Sequence, residues 1–221
     1  GSNFLAVCQQ VKDMLGSNAV PIVLPIGDEA DFKGVVDLVK NRAIIWHEED
    51  MGSTFDVIDI PAEMEEEVHE YRANLIEAVA EYDENLMEKF FEDENSITED
   101  EVHAALRAAV MDMSIIPMIC GSAFKNKGVQ KLLDSIVEFL PAPIDMPDVS
   151  AHHIAMNDVV KRKISEKEKF TALAFKIMND PYVGKLTYFR VYSGQLKAGS
   201  YVYNSTRDKN ERISRLLLMH F

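Results

Sequence analysis

The hydrophobic period of this chain changes once, and that change limits what it can fold into. Up to about residue 140, apolar residues recur at spacings of three and four, broken by a few short apolar runs. Beyond about Lys169 the spacing becomes two, the mark of half-buried strands. Between them PAPIDMPD, residues 141–148, carries three prolines, which stop a helix and open a connection. The expected architecture is an α/β part over 1–148, a linker over 149–168 and an antiparallel β part over 169–221.

Local signals fill in the first part. Phe4, Val7, Cys8, Val11, Met14 and Leu15 share a helical stripe that ends at Gly16. AVPIVLPIG reads as one buried strand, GVVDLV and RAIIW as a hairpin about Lys40 and Asn41, and FDVIDI as a further strand. Pro61 opens a helix striped by Met64, Val68, Tyr71, Leu75 and Val79. Asp83 is placed to cap the next helix, and Thr98 with Glu101 forms a capping box for the one after. SIIPMIC is expected as a buried strand, and Val129, Leu132, Leu133, Ile136, Val137 and Leu140 as the buried face of a helix. In the second part FTALAFKIM, KLTYFRVYSG, GSYVYNS and ERISRLLL read as four strands, too few for a closed barrel, so an incomplete one is expected.

Composition narrows the function classes. With 47% hydrophobic and 27% charged residues, disorder is excluded, and no apolar run is long enough to cross a bilayer. The opening GSNFLAVCQQ lacks the layout of a signal peptide, so a cytoplasmic location without membrane contact is expected. Cys8 and Cys120 are far apart and belong to no CxxC pair, which reads as free thiols. The net charge of −14 is unevenly spread. Residues 47–101 hold twenty-one acids against Arg72 and Lys89, whereas 155–221 hold thirteen Lys and Arg against six acids. Such fields either attract partners of opposite sign or simply keep surfaces solvated.

The stretch with chemical content is IPMICGSAFKNKG, residues 116–128: a strand, then Gly-Ser-Ala, a basic loop and a helix. Ligands of open α/β sheets sit beyond the carboxyl ends of strands, where small residues let backbone N–H groups approach. Strand–GSA–helix turns are common, and on spacing alone this one carries little.

The sequence around it carries more. CGSAFKNKGVQKLLDSIVEFLPAPIDMP resembles the fifth guanine-nucleotide motif of elongation factor G and the helix after it. NFLAVCQQVKDMLG is similar to the helix that follows that family's Asn-Lys-Met-Asp motif. VPIVLPIGDEADFKGVVDLV and IPAEMEEEVHEYRANLIEAVAEYDENLMEKFFE resemble the family's insert subdomain, here at about 20–113, and FTALAFKIMNDPYVGKLTYFRVYSGQLKAGSYVYN its second domain.

The resemblance implies a partial P-loop GTPase domain with an α+β insert, followed by a partial antiparallel β-barrel. It implies that the Ala123 N–H faces the guanine oxygen while Ser122 helps set the loop, with GTP or GDP and magnesium as ligands of the parent. It also implies the ribosome as partner: small-subunit ribosomal RNA for the basic barrel, the ribosomal stalk protein for the acidic helices. A sister translational GTPase of the ribosomal protection or recycling type shares the layout, and a stand-alone acidic interaction module is the reading from another class.

Phosphoryl transfer depends on a phosphate cradle and a metal. The chain has no GxxxxGK[ST], and in Asn126-Lys127-Gly128-Val129 the valine cannot accept the guanine protons, so no catalytic residue, no metal ligand and no bound nucleotide are expected for this chain alone. Asp31-Phe32-Lys33-Gly34 fits Asp-x-x-Gly by accident, inside the insert. Lys125 and Lys127 read as solvated loop charges. The histidines do not cluster, although His69 with Glu65 or Glu66 is a candidate pair; the methionines read as core.

Overall fold

The computed structural model describes residues 3–152 and 158–218, and the chain divides into a unit over 1–140 and a unit over 141–221. Helix α1 (Phe4–Leu15) begins where Asn3 Oδ1 accepts the Ala6 N–H at 3.0 Å and ends at Gly16, whose φ of 63° suits a residue without Cβ. Only half of its expected stripe is covered. Cys8 is buried, whereas Val7, Met14 and Leu15 are exposed.

The apolar run that follows is two strands, not the one expected. β1 (Ala19–Pro21) and β2 (Val23–Ile26) belong to different sheets. Ile22 is the point of exchange: its N–H donates to Met118 O and its carbonyl accepts the Leu38 N–H, each at 3.0 Å. A continuous hydrophobic run cannot reveal that its hydrogen-bond partners change half-way.

β2 pairs antiparallel with β3 (Gly34–Asp37), β3 with β4 (Arg42–Trp46), and β4 with the edge strand β5 (Phe55–Ile58). The expected hairpin between β3 and β4 is present. Asp37 Oδ1 accepts the Val39 and Lys40 N–H groups at 3.0 and 3.1 Å, and Asn41 adopts a positive φ of 53°.

Cross-strand pairing divides the sheet into two faces. Leu24, Val36 and Ala43 point to one, and Val23, Val35 and Ile44 to the other. The first face packs under three helices, α2 (Glu65–Val79), α3 (Glu84–Glu92) and α4 (Glu99–Met111), through Val68, Leu75, Ile76, Leu86, Val102 and Leu106. Each such side chain taken fully from water contributes about 1.5–3 kcal/mol. Arg72 is buried among them, satisfied by the carbonyls of Leu38 and Val39 and by Glu94, while burial lowers its pKa. Asp83 caps α3, and Thr98 and Glu101 complete the capping box of α4.

Strand β6 (Ile116–Met118) runs parallel to β1 and is only partly covered. Helix α5 (Val129–Phe139) departs from expectation more sharply. Its buried residues are Lys131, Ser135 and Phe139, while Leu132, Leu133, Ile136, Val137 and Leu140 face outward. The apolar stripe is real, but the face covered within this chain is the polar one.

In the second unit, β7 (Val149–His152) pairs with β8 (Val159–Arg162), β9 (Thr171–Asp180) with β10 (Gly184–Ser193), and β11 (Tyr201–Asn204) with β12 (Lys209–Arg212), all antiparallel. The segment 149–168 therefore holds two paired strands rather than a plain linker. Their four-residue alternation is short enough to be masked by the prolines before it. The last strand lies earlier than ERISRLLL suggests, because the turn carrying Asp208 at φ 50° places Lys209 opposite Asn204. The β-rich, two-residue periodicity of this unit is as expected.

Glu101 accepts from Lys89, from the Thr98 N–H and from the Thr98 hydroxyl, which together lower its pKa from 4.5 to about 2. A depressed carboxylate pKa contributes stability that is complete above the ordinary value and lost as pH falls through the folded one. Glu101→Gln should therefore destabilise the chain at neutral pH, and the gap from wild type should close by about pH 2. Urea unfolding across that range reads the effect, and a gap independent of pH would refute it.

Candidate functional site

The loop after β6 is a tight turn with its base closed by the backbone. Ser122 and Lys127 exchange hydrogen bonds of 2.8 and 3.0 Å, leaving Ala123, Phe124, Lys125 and Asn126 as the turn. Asn126 N–H donates to Ala123 O at 3.2 Å, and the Lys125 N–H to Ser122 Oγ at 3.3 Å. Asn126 takes a positive φ of 53°, which a short polar side chain tolerates. Ser122 is half-buried, whereas Ala123 and Phe124 are exposed. The Ala123 N–H donates to no acceptor among the described residues.

The second face of the four-stranded sheet lies against this loop and α5. Val23, Phe32, Val35, Ile44 and Trp46 form a separate apolar cluster with Ile119 and Cys120 packed on it. Burial pushes the Cys120 thiol up to about 12, so it is neutral and unreactive at physiological pH. Trp46 Nε1–H donates to Gln130 Oε1 and Gln130 Nε2 donates to Gly52 O, both at 3.0 Å. Lys131 Nζ stands 2.7 Å from Asp37 Oδ2, with both side chains buried.

The two loop lysines behave differently from expectation. Lys125 Nζ donates to Ala30 O at 2.6 Å. Lys127, read from sequence as a solvated charge, is only 2% exposed. Its ammonium donates to Phe32 O at 3.0 Å and to Glu48 Oε1 at 2.7 Å, and that hydrogen bond lowers the Glu48 pKa. A buried ammonium must be paired, and the connections before β3 and after β4 supply both acceptors.

Sequence reasoning misread Lys127 and passed over Gln130, Lys131, Asp37 and Trp46. Two faint signals were present: an acid inside the apolar strand GVVDLV, and a lysine on the face of α5 opposite its apolar stripe. Of the other candidates, His69 Nε2 pairs with Glu94 Oε2 at 3.0 Å rather than with Glu65 or Glu66, and His47 Nε2 with Asp56 Oδ2 at 3.1 Å. Among the described residues no three His, Cys, Asp or Glu are grouped to hold a metal, and no helix is long and apolar enough to cross a membrane. A cavity of about 390 Å³ lined by Lys12, Asn18, Tyr71, Asn74 and Glu77 shares no residue with the loop. In the second unit Lys176 lies 5.9 Å from the Tyr188 ring and Arg190 5.3 Å from that of Tyr192.

Comparison with known proteins gives one consistent match. Over 220 residues, 100% of the chain, the sequence is 59% identical to an elongation factor G of Cytophaga hutchinsonii and 52% identical to one of Amoebophilus asiaticus. Along its whole length the chain matches elongation factor G. It spans 31% of the length of either relative and so corresponds to a segment of them. The family model described as Elongation factor G domain 2 matches residues 169–220, within the β-rich unit. A crystal structure of a protein from Thermus thermophilus is also similar, at 26% identity and a TM-score of 0.68, covering 96% of this chain and 28% of that one.

The loop after β6 is held at close range by the turn after β4. Gly52 has φ 71°, and a Cβ there would stand 2.6 Å from Asn126 O and 2.8 Å from Lys125 O. Gly52→Ala should therefore destabilise the chain by more than about 1 kcal/mol and move the backbone amide resonances of residues 122–128. An unchanged unfolding midpoint with unshifted resonances would contradict the contact.

Proposed function

We propose that this chain contributes the guanine-contacting loop to the GTP site of a translational GTPase, the parent being the elongation factor that drives tRNA–mRNA translocation on the ribosome. One observation carries the reading: at the carboxyl end of a parallel strand, in a chain of this family, the exposed Ala123 presents an N–H with no acceptor among the described residues. A purine carbonyl fits such a donor, and the small side chains of Ser122 and Ala123 leave room for the ring. GTP or GDP and magnesium are ligands of the parent. No residue of this chain is assigned to the phosphates or the metal, so the chain alone turns over no GTP. When bound, the magnesium neutralises phosphate charge; the loop binds and orients the base.

The exposed apolar residues of α1 and α5 support a place inside a larger GTPase domain. Val7, Met14 and Leu15, with Leu132, Leu133, Ile136 and Val137, are faces that the rest of that domain would cover. In the same reading residues 1–148 end the GTPase domain, with the insert at about 20–113, and 169–221 begin a domain II barrel. The acidic helices α2 and α4 suit a basic patch on a protein partner, here the ribosomal stalk protein, and the basic, Tyr-bearing strands suit ribosomal RNA, in a cytoplasmic factor.

The test is nucleotide binding to the full-length parent. Wild type should bind GDP more tightly than 2-aminopurine riboside diphosphate, which lacks the purine oxygen. Ala123→Pro removes the N–H and should weaken GDP binding roughly tenfold while leaving the analogue unaffected. A full-length protein that treats the two alike would refute the reading, as would GTP turnover by the isolated chain. For the basic strands, binding of ribosomal RNA fragments should fall steeply as salt rises from about 50 to 200 mM; salt-insensitive binding would exclude a phosphate-reading surface.

A further inference from the structure

We infer that Lys127 is a positioning residue for the guanine loop, locking the loop's shape to the position of the insert sheet. The inference rests on the guanine-loop reading and extends it. Lys127 acts at both ends of one residue. Its backbone closes the turn against Ser122 by two hydrogen bonds, directly below Ala123. Its side chain leaves the loop and ends between Phe32 O and Glu48 Oε1, in the two connections that flank β3 and β4 of the insert.

The side chain is 2% exposed, so its ammonium relies on these two protein acceptors. An ammonium deprived of its partners in such a place is costly. Any displacement of residues 27–33 or 47–52 therefore either drags Lys127, and the Ser122–Lys127 rung with it, or strands the charge. Neighbouring contacts act in the same sense: Lys125 holds Ala30 O, Gln130 links Trp46 to Gly52 O, and Asp37 meets Lys131 on α5. Lys127 differs from these in being part of the turn that presents the Ala123 N–H. A force applied to the insert would consequently be felt as a change in how well that N–H meets a purine oxygen.

The experiment uses the full-length parent, with GDP and 2-aminopurine riboside diphosphate as probes. Lys127→Met keeps the aliphatic stem and removes the ammonium. It should raise the GDP dissociation constant roughly tenfold, mainly through faster release, while the analogue binds as it does to wild type. Lys127→Arg, which keeps a donor for both acceptors, should restore part of the discrimination. A merely structural weakening would lower affinity for both nucleotides alike, and that result would overturn the inference. So would a folded Lys127→Met that separates the two nucleotides as well as wild type.

If Lys127→Met does not fold, Glu48→Gln decides. The Glu48 side chain is 71% exposed, so the substitution removes only the charge facing Lys127. A selective loss of GDP affinity of about two- to fivefold supports the inference, and none overturns it. Failure of wild type to prefer GDP is a separate outcome, since it refutes the guanine-loop reading and this inference together.

Discussion

The arrangement depends on one constraint: strands β2, β3 and β4 of the four-stranded sheet are covered on both faces. A two-sided sheet needs two partners, and this one takes the acidic helices on one side and the strand–loop–helix segment around residue 120 on the other. Because side chains alternate along β3, neighbouring residues commit to opposite partners. Val36 belongs to the helical core, and Val35 to the cluster beneath Cys120. Asp37 falls on the second face as well, which is why a carboxylate with no solvent exposure finds Lys131.

From this follows the polar character of the contact between sheet and loop. Apolar packing is non-directional and would allow the loop to slide. The Lys127, Gln130 and Lys131 contacts are directional, and each is buried deeply enough that misplacement leaves a polar group unpaired. The loop is thus held at defined points while its tip, Ala123 and Phe124, stays exposed. Rigid support beneath an exposed turn fixes the turn's shape.

The same geometry explains the orientation of α5. Its polar face is turned to the four-stranded sheet, so its leucines and isoleucine face away from it. Together with the uncovered part of α1, this leaves apolar surface that a self-sufficient domain would bury. A chain matching about a third of its relatives' length is expected to carry such surface.

Much of this was legible in the residues. The boundaries of α1, the caps at Asp83 and Thr98, the β3–β4 hairpin and the switch to strands after Lys169 all follow from local rules, because each is decided within a few residues. The family was legible for a similar reason, since a long ordered match does not depend on knowing contacts. Sequence could not tell that Ile22 changes sheets, that β7 and β8 pair, or which side of α5 is covered, because those depend on partners distant along the chain. The fate of Lys127 is the plainest instance. A lysine in a Gly- and Asn-bearing loop is ordinarily solvated, and only the fold could bring Phe32 and Glu48, 95 and 79 residues away, to enclose its charge.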